Sequence, residues 1–206
     1  MQRHPFGRIP AFQHDDFHLY ETGAIVRYSD DAFPRCTLQP TSPKTRAKVN
    51  QIVGILDAYA YRTLVWDIYV ERVVSARQGR LANEQTIAAA LPRAALCLSE
   101  LTRLSDDKGF LIGGSVTLAD LYAAPIFAYF MRAPEAVSLM EGCEKLIYWW
   151  QRFAIRDSMC RLRDSGLLQR LRKVFCRALR SRPALFDKKG ISLADCFSQC
   201  WRSSAR

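Results

Sequence analysis

Val49, Ile52, Val53, Leu56, Ala60, Leu64 and Ile68 keep helical spacing through an uninterrupted stretch from Lys44 to about Val74. That row commits the middle of the chain to one long amphipathic helix, and with it the fold to a mostly α architecture. Ser42-Pro43 supplies the start, an N-cap residue followed by proline at the first helical position. Asn83 opens a second helix carrying Ile87, Leu91, Ala94, Leu98 and Leu101, in which Pro92 predicts a kink or a break. Phe110 to Asp120 then leads into a third. Thr117 stands three residues before Asp120 as a short-armed capping box, with Val116 placed as a hydrophobic staple. This reading gives Asp120 a structural role and no chemistry. Lys145 to Arg156 is a further helix, and its Trp149-Trp150 pair is expected in the core.

The N-terminal segment has a different grammar. Ile9 to Gln13 and Phe17 to Tyr20 are apolar, aromatic and β-branched runs separated by His14-Asp15-Asp16, a polar triplet that closes a hairpin. Glu21-Thr22 opens a helix in which Ala24, Ile25 and Tyr28 can share one face. Pro10 cannot donate to a sheet ladder, so it marks an edge, a bend or a cis bond. With a cis bond there, the preceding residue turns its amide and carbonyl outward, while the start of the following helix offers free amides to a carboxylate.

Pro5 to Pro10, Leu19 to Ile25, the Thr117-Leu118-Ala119-Asp120 element and the Trp149-Trp150 helix together resemble the glutathione S-transferase family, in its phi-like plant and bacterial form. The resemblance covers residues 5 to 160. It implies three parts: a partial thioredoxin-like β-β-α element over residues 1–36, an all-helical C-terminal domain over 42–160, and a basic extension over 161–206. It implies that Ile9, before a cis Pro10, pairs through its backbone with the cysteinyl part of glutathione. Glu21 and Thr22 would hold the γ-glutamyl end, where an ammonium needs a carboxylate and a carboxylate needs a hydroxyl and helix-start amides. Arg8 stands where members often reach the tripeptide with a polar side chain. Tyr59, Tyr61 and Trp66 are candidates for the wall of the co-substrate cleft, although core packing is the commoner use for such aromatics.

Glutathione transferase chemistry requires a tyrosine, serine or cysteine that holds the glutathione sulfur as thiolate. In the family that residue follows the first strand, a position expected to lie before Met1, so no catalytic residue is assigned; Tyr20 and Tyr28 do not match it. The implied function is conjugation of glutathione, as co-substrate, to a small electrophile in a protein that is a homodimer when its N-terminal domain is complete. The alternative is a non-catalytic interaction protein on the same fold, like the transferase-like modules of elongation factors or the stringent-starvation regulators, or an inactive fragment.

Charge divides the chain. Residues 1–160 hold 18 Lys and Arg against 17 Asp and Glu, whereas residues 161–206 hold 12 against 3. Leu167, Leu171, Val174, Phe175, Ala178 and Leu179 form an apolar stripe among arginines there, which predicts a basic amphipathic helix. Such a segment can dock on the core, lie on an anionic membrane or grip nucleic acid. The 7 cysteines form no paired framework, so reduced thiols and a cytoplasmic protein are expected. Cys196 and Cys200 lack partners for a zinc site, and no metal is expected. His4, His14 and His18 are read as surface residues.

Overall fold

The computed structural model describes residues 4–33 and 37–162. The basic extension, with its stripe, its Cys196-Cys200 pair and its expected contacts to membrane or nucleic acid, lies outside them. The described elements follow in the order β1 (Ala11–His14), β2 (Phe17–Tyr20), α1 (Thr22–Ala32), α2 (Pro43–Ile55), π1 (Leu56–Val74), α3 (Ser75–Arg77), α4 (Glu84–Leu104), α5 (Leu118–Phe130), α6 (Glu135–Leu139), α7 (Glu144–Ala154) and α8 (Asp157–Leu162).

β1 and β2 pair antiparallel in the register Ala11 to Tyr20, Phe12 to Leu19, Gln13 to His18 and His14 to Phe17. The ladder begins after Pro10 rather than at Ile9, because proline has no amide to contribute. His14 belongs to the strand, leaving Asp15 and Asp16 as the turn. Asp15 takes a φ of 53°, a left-handed conformation that aspartate tolerates. Two expectations are corrected here. His4 is buried against Phe6 and Tyr20, and its Nδ1 accepts from the Phe6 amide at 3.3 Å, so it is not a surface residue. Ala24 is exposed on α1 while Ile25, Val26 and Tyr28 are half-buried.

α2, π1 and α3 form one continuous rod, as the apolar row requires, but its centre is wound more loosely than an α-helix. Over Leu56–Val74 the hydrogen bonds run i to i+5. The burial pattern gives a reason. Ile52, Leu56, Ala60, Leu64 and Ile68 are all fully buried, at a strict spacing of four. On a helix with 3.6 residues per turn, that spacing drifts by about 40° per step, so the last member would sit about 160° from the first. A wider winding turns the drift back and keeps the row against the core. The sequence pattern read as an ordinary helix because the two periods are nearly indistinguishable over a few turns.

α4 packs along π1, and its N-cap is Asn83, whose side-chain oxygen accepts from the Thr86 amide at 3.0 Å. The expected break at Pro92 does not occur. Pro92 and Ala88, whose carbonyl loses its donor, are both exposed, so water can replace the missing bond.

α5 runs through the middle of the helical core with its capping box formed. Fully buried Asp120 is the junction of that core. Its Oδ2 accepts from the Thr117 amide at 2.8 Å and the Thr117 hydroxyl at 2.9 Å. Its Oδ1 accepts from the Leu111 amide at 2.9 Å and from the Trp149 indole at 2.8 Å. One carboxylate thus ties the α4–α5 loop, the start of α5 and α7 together. Trp149 and Trp150 are core residues stacked around Phe127. Every buried hydrophobic residue among those described lies at Val49 or beyond, so the β-β-α element contributes none.

Candidate active site

The Ile9–Pro10 bond is cis. Arg8, Ile9 and Pro10 are all exposed, and Ile9 is 93% accessible. A large apolar side chain in water has no packing role to perform, so what this position presents is its backbone, at the foot of β1.

β2 ends at Tyr20 and α1 begins at Thr22, leaving Glu21 as the single joining residue. Glu21 has φ 71° and ψ 118°, a combination that a residue with a Cβ adopts at a cost of about 1–3 kcal/mol. Its carbonyl accepts from the Ala24 and Ile25 amides, both at 3.0 Å, which starts the helix, while its exposed side chain makes no capping bond. The carboxylate therefore projects beside the first turn of α1, where unpaired amides concentrate.

Thr22, at that first turn, also lines a cavity of about 630 Å³ between α1, the first half of π1 and α5. The volume suits a small organic molecule. Its walls are mostly apolar: Val26 and Phe33 from the β-β-α side, Leu121, Pro125 and Ile126 from α5. Pro125 cannot donate to the carbonyl of Leu121 one turn earlier, so an acceptor is left without its ordinary helical donor at the wall. Tyr61 is on the wall as well; Tyr59 and Trp66 are exposed and do not line it. The structure thus brings Thr22 and Tyr61 to one space, with Arg8, Ile9, Pro10 and Glu21 outside its lining.

Several polar groups at this place carry no sequence signal. Tyr122 donates to Asp57 Oδ1 at 3.4 Å, and its hydroxyl pKa is pushed up to about 12, by burial first and by the Asp57 charge second. It stays a neutral O–H donor throughout the physiological range. Asp30 is buried and accepts from the Leu38 amide at 2.8 Å and the Gln39 amide at 3.1 Å, fixing the chain as it leaves α1 for α2. The spacing of Asp57 and Tyr61, one turn apart on the rod, is the one hint that a single wall was being built. Among the described residues, no group of histidine, cysteine, aspartate and glutamate could hold a metal ion, and no helix is long and apolar enough to cross a membrane.

The sequence profile of the glutathione S-transferase C-terminal domain matches residues 43–157, and that of the glutathione S-transferase N-terminal domain matches residues 1–31. The chain belongs to the glutathione S-transferase family. Among its relatives, the probable glutathione S-transferase GSTF1 of Oryza sativa subsp. japonica is 27% identical over 165 residues, which is 79% of this chain and 75% of that protein. Glutathione S-transferase F12 of Arabidopsis thaliana is 25% identical over 162 residues, 78% of this chain and 75% of that one. In three dimensions the crystal structure of glutathione transferase F7 from Populus trichocarpa superposes with a TM-score of 0.66 at 23% identity, covering 79% of this chain and 76% of that one. The β-β-α element is therefore a partial N-terminal transferase domain, and the helices from Pro43 onward are the C-terminal one. The function of the chain is that of a glutathione S-transferase, and the comparisons favour no interaction-protein alternative.

Proposed function

We propose that glutathione lies across the exposed Arg8–Ile9–Pro10 backbone and the Glu21–Thr22 helix start, and that its thiolate attacks an electrophile seated in the neighbouring cavity with Tyr61 on its wall. The observation that carries this reading is the backbone of Glu21. A non-glycine residue held at φ 71° between a strand and a helix, with its carboxylate exposed and making no capping bond, carries a local cost for which the helix-starting carbonyl needs no carboxylate. An ammonium group on a ligand would give that carboxylate a partner. The apolar walls would exclude water from the electrophile, and the neutral Tyr122 hydroxyl would offer a donor without adding charge. Cys97, Cys143 and Cys160 form no disulfide with one another, which supports a cytoplasmic setting, and the exposed Tyr59 and Trp66 on the rod support burial against a second copy in a homodimer.

Glutathione titration by calorimetry tests the site. Glu21→Ala should weaken binding by about 1.5–3 kcal/mol, the range for a charge-assisted hydrogen bond. Glu21→Gly should weaken it as much while raising the melting temperature, since glycine takes the same φ without penalty. Unchanged affinity in both variants would remove Glu21 from the ligand site.

A further inference from the structure

A helix is held in place by what it packs against, and α1 packs mainly on the hairpin, where the Tyr28 ring lies against Phe12, His14 and Phe17 and its hydroxyl stands 2.7 Å from His14 Nδ1; toward the helical core it offers almost nothing apolar. Of its residues only Asp30 is buried, and Val26 alone packs in part against the hydrophobic core. Yet the first turn of α1 carries Thr22 and adjoins Glu21, so the reach of these side chains toward the cavity depends on an orientation relative to the helical core that apolar packing sets only weakly. Hydrogen bonds have to set it. At the far end, Asp30 ties α1 to the segment that leads to α2. Near the first turn, Arg27 reaches in two directions: its Nη1 donates to the Gly23 carbonyl at 2.8 Å, and its Nε donates to Asn50 Oδ1 on α2 at 3.1 Å.

Gly23 fits this arrangement. A Cβ built there would stand 3.0 Å from Arg27 Nη1 and 3.8 Å from the Tyr122 hydroxyl, so the absence of a side chain lets the guanidinium close onto the first turn. The Arg27 charge also faces the Asp57–Tyr122 pair: it opposes the rise in the Tyr122 pKa that burial and Asp57 produce. A guanidinium is suited to this position because its planar fork offers several donors in a fixed geometry, which a flexible ammonium does not.

We infer that Arg27, anchored on Asn50, is the positioning residue that aims the Glu21–Thr22 turn, acting through Gly23 and not by touching glutathione. This rests on the glutathione site proposed above. Its chemistry is the same as that of any clamp in a binding site: the ligand contacts are made by others, and the clamp fixes their mutual placement so that less freedom is lost on binding.

The test uses the full chain, with glutathione as the probe and two readouts. Arg27→Ala and Asn50→Leu should each weaken glutathione binding roughly three- to tenfold, the span expected when one buried-edge hydrogen bond is lost, and the double variant should lose no more than either alone. Asn50→Asp keeps the acceptor and should retain the affinity, which a merely structural role for Asn50 would not require. In parallel, amide hydrogen exchange at Ala24 and Ile25, the first paired amides of α1, should accelerate in Arg27→Ala without glutathione present, while exchange in α5 stays slow and reports that the helical core is intact. Additive losses in the double variant, or an Asn50→Asp affinity as poor as that of Asn50→Leu, would overturn the clamp. If the unmodified chain binds no glutathione, the site reading fails; the exchange arm then decides alone, and unchanged rates at the first turn of α1 would sink the clamp as well.

Discussion

Residues 4–33 and residues 37–162 are held together by opposite means. The helical region has a continuous apolar core around α5, in which Phe127, Phe130, Phe153 and the row from Ile52 to Ile68 are buried. The β-β-α element has no buried apolar side chain among the described residues, and its defined features are all local in sequence: a cis peptide, a two-residue turn, a strained residue at a helix start, a guanidinium closing a turn. The difference teaches that a binding geometry and a core are separable. Local chemistry can write the first within a few consecutive residues, whereas the second requires partners distant in sequence. Phe6, at 70% exposure, and Ile9 at 93% show how little of the element's apolar surface its own residues can cover.

Substitutions can break or sharpen that contrast. The largest effect is expected at Asp120. Removing the carboxylate in Asp120→Ala orphans two buried amides, the Thr117 hydroxyl and an indole N–H, and should cost about 4 kcal/mol, read as the midpoint shift in urea unfolding. A cost near 1 kcal/mol would mean that the junction is dispensable. Next, Leu64→Ala in the middle of the rod should lose about 2–5 kcal/mol, against less than about 1 kcal/mol for Phe12→Ala on the half-buried face of the hairpin. Comparable losses at the two sites would contradict the contrast itself.

The smallest effect concerns Tyr122, where the two regions meet. Its pKa in the folded protein is raised to about 12 from an ordinary 10. Between those values the unfolded chain has released the proton and the folded chain has not, so stability falls as pH rises through this window. Tyr122→Phe should therefore show a shallower decline in stability from pH 10 to 12 than the parent, measured as the difference between their melting profiles. Parallel profiles would place the hydroxyl in water.

Much of this was legible in sequence, for reasons that can be stated. Asn83 and the Thr117–Asp120 box act on amides within one turn of themselves, Pro43 presets the backbone of the first turn after Ser42, whose side chain makes no capping bond, and the hairpin closes over two residues, so short patterns suffice to place them. Three further structural features had no such pattern. The rod's looser winding follows from which positions face the core over five turns. The burial of His4 depends on Tyr20 returning across the hairpin. Arg27 and Asn50 lie 23 residues apart, and neither type is unusual where it stands. Of the candidate aromatics on the rod, Tyr61 lines the cavity while Tyr59 does not, because a two-residue step turns a side chain to another face of a helix, and Trp66 lies more than a turn beyond Tyr61, the last rod residue on the wall.

The looser winding of the rod also bears on how such a chain can change by descent. Side chains at Ile52, Leu56, Ala60, Leu64 and Ile68 can be exchanged one at a time for others of similar volume, each at a modest cost. Length is another matter. Loss of a single codon between Ala60 and Leu64 would rotate everything downstream by roughly a quarter turn, carrying Leu64 and Ile68 away from the core together. In this part of the molecule the count of residues is a more stringently inherited character than their identities.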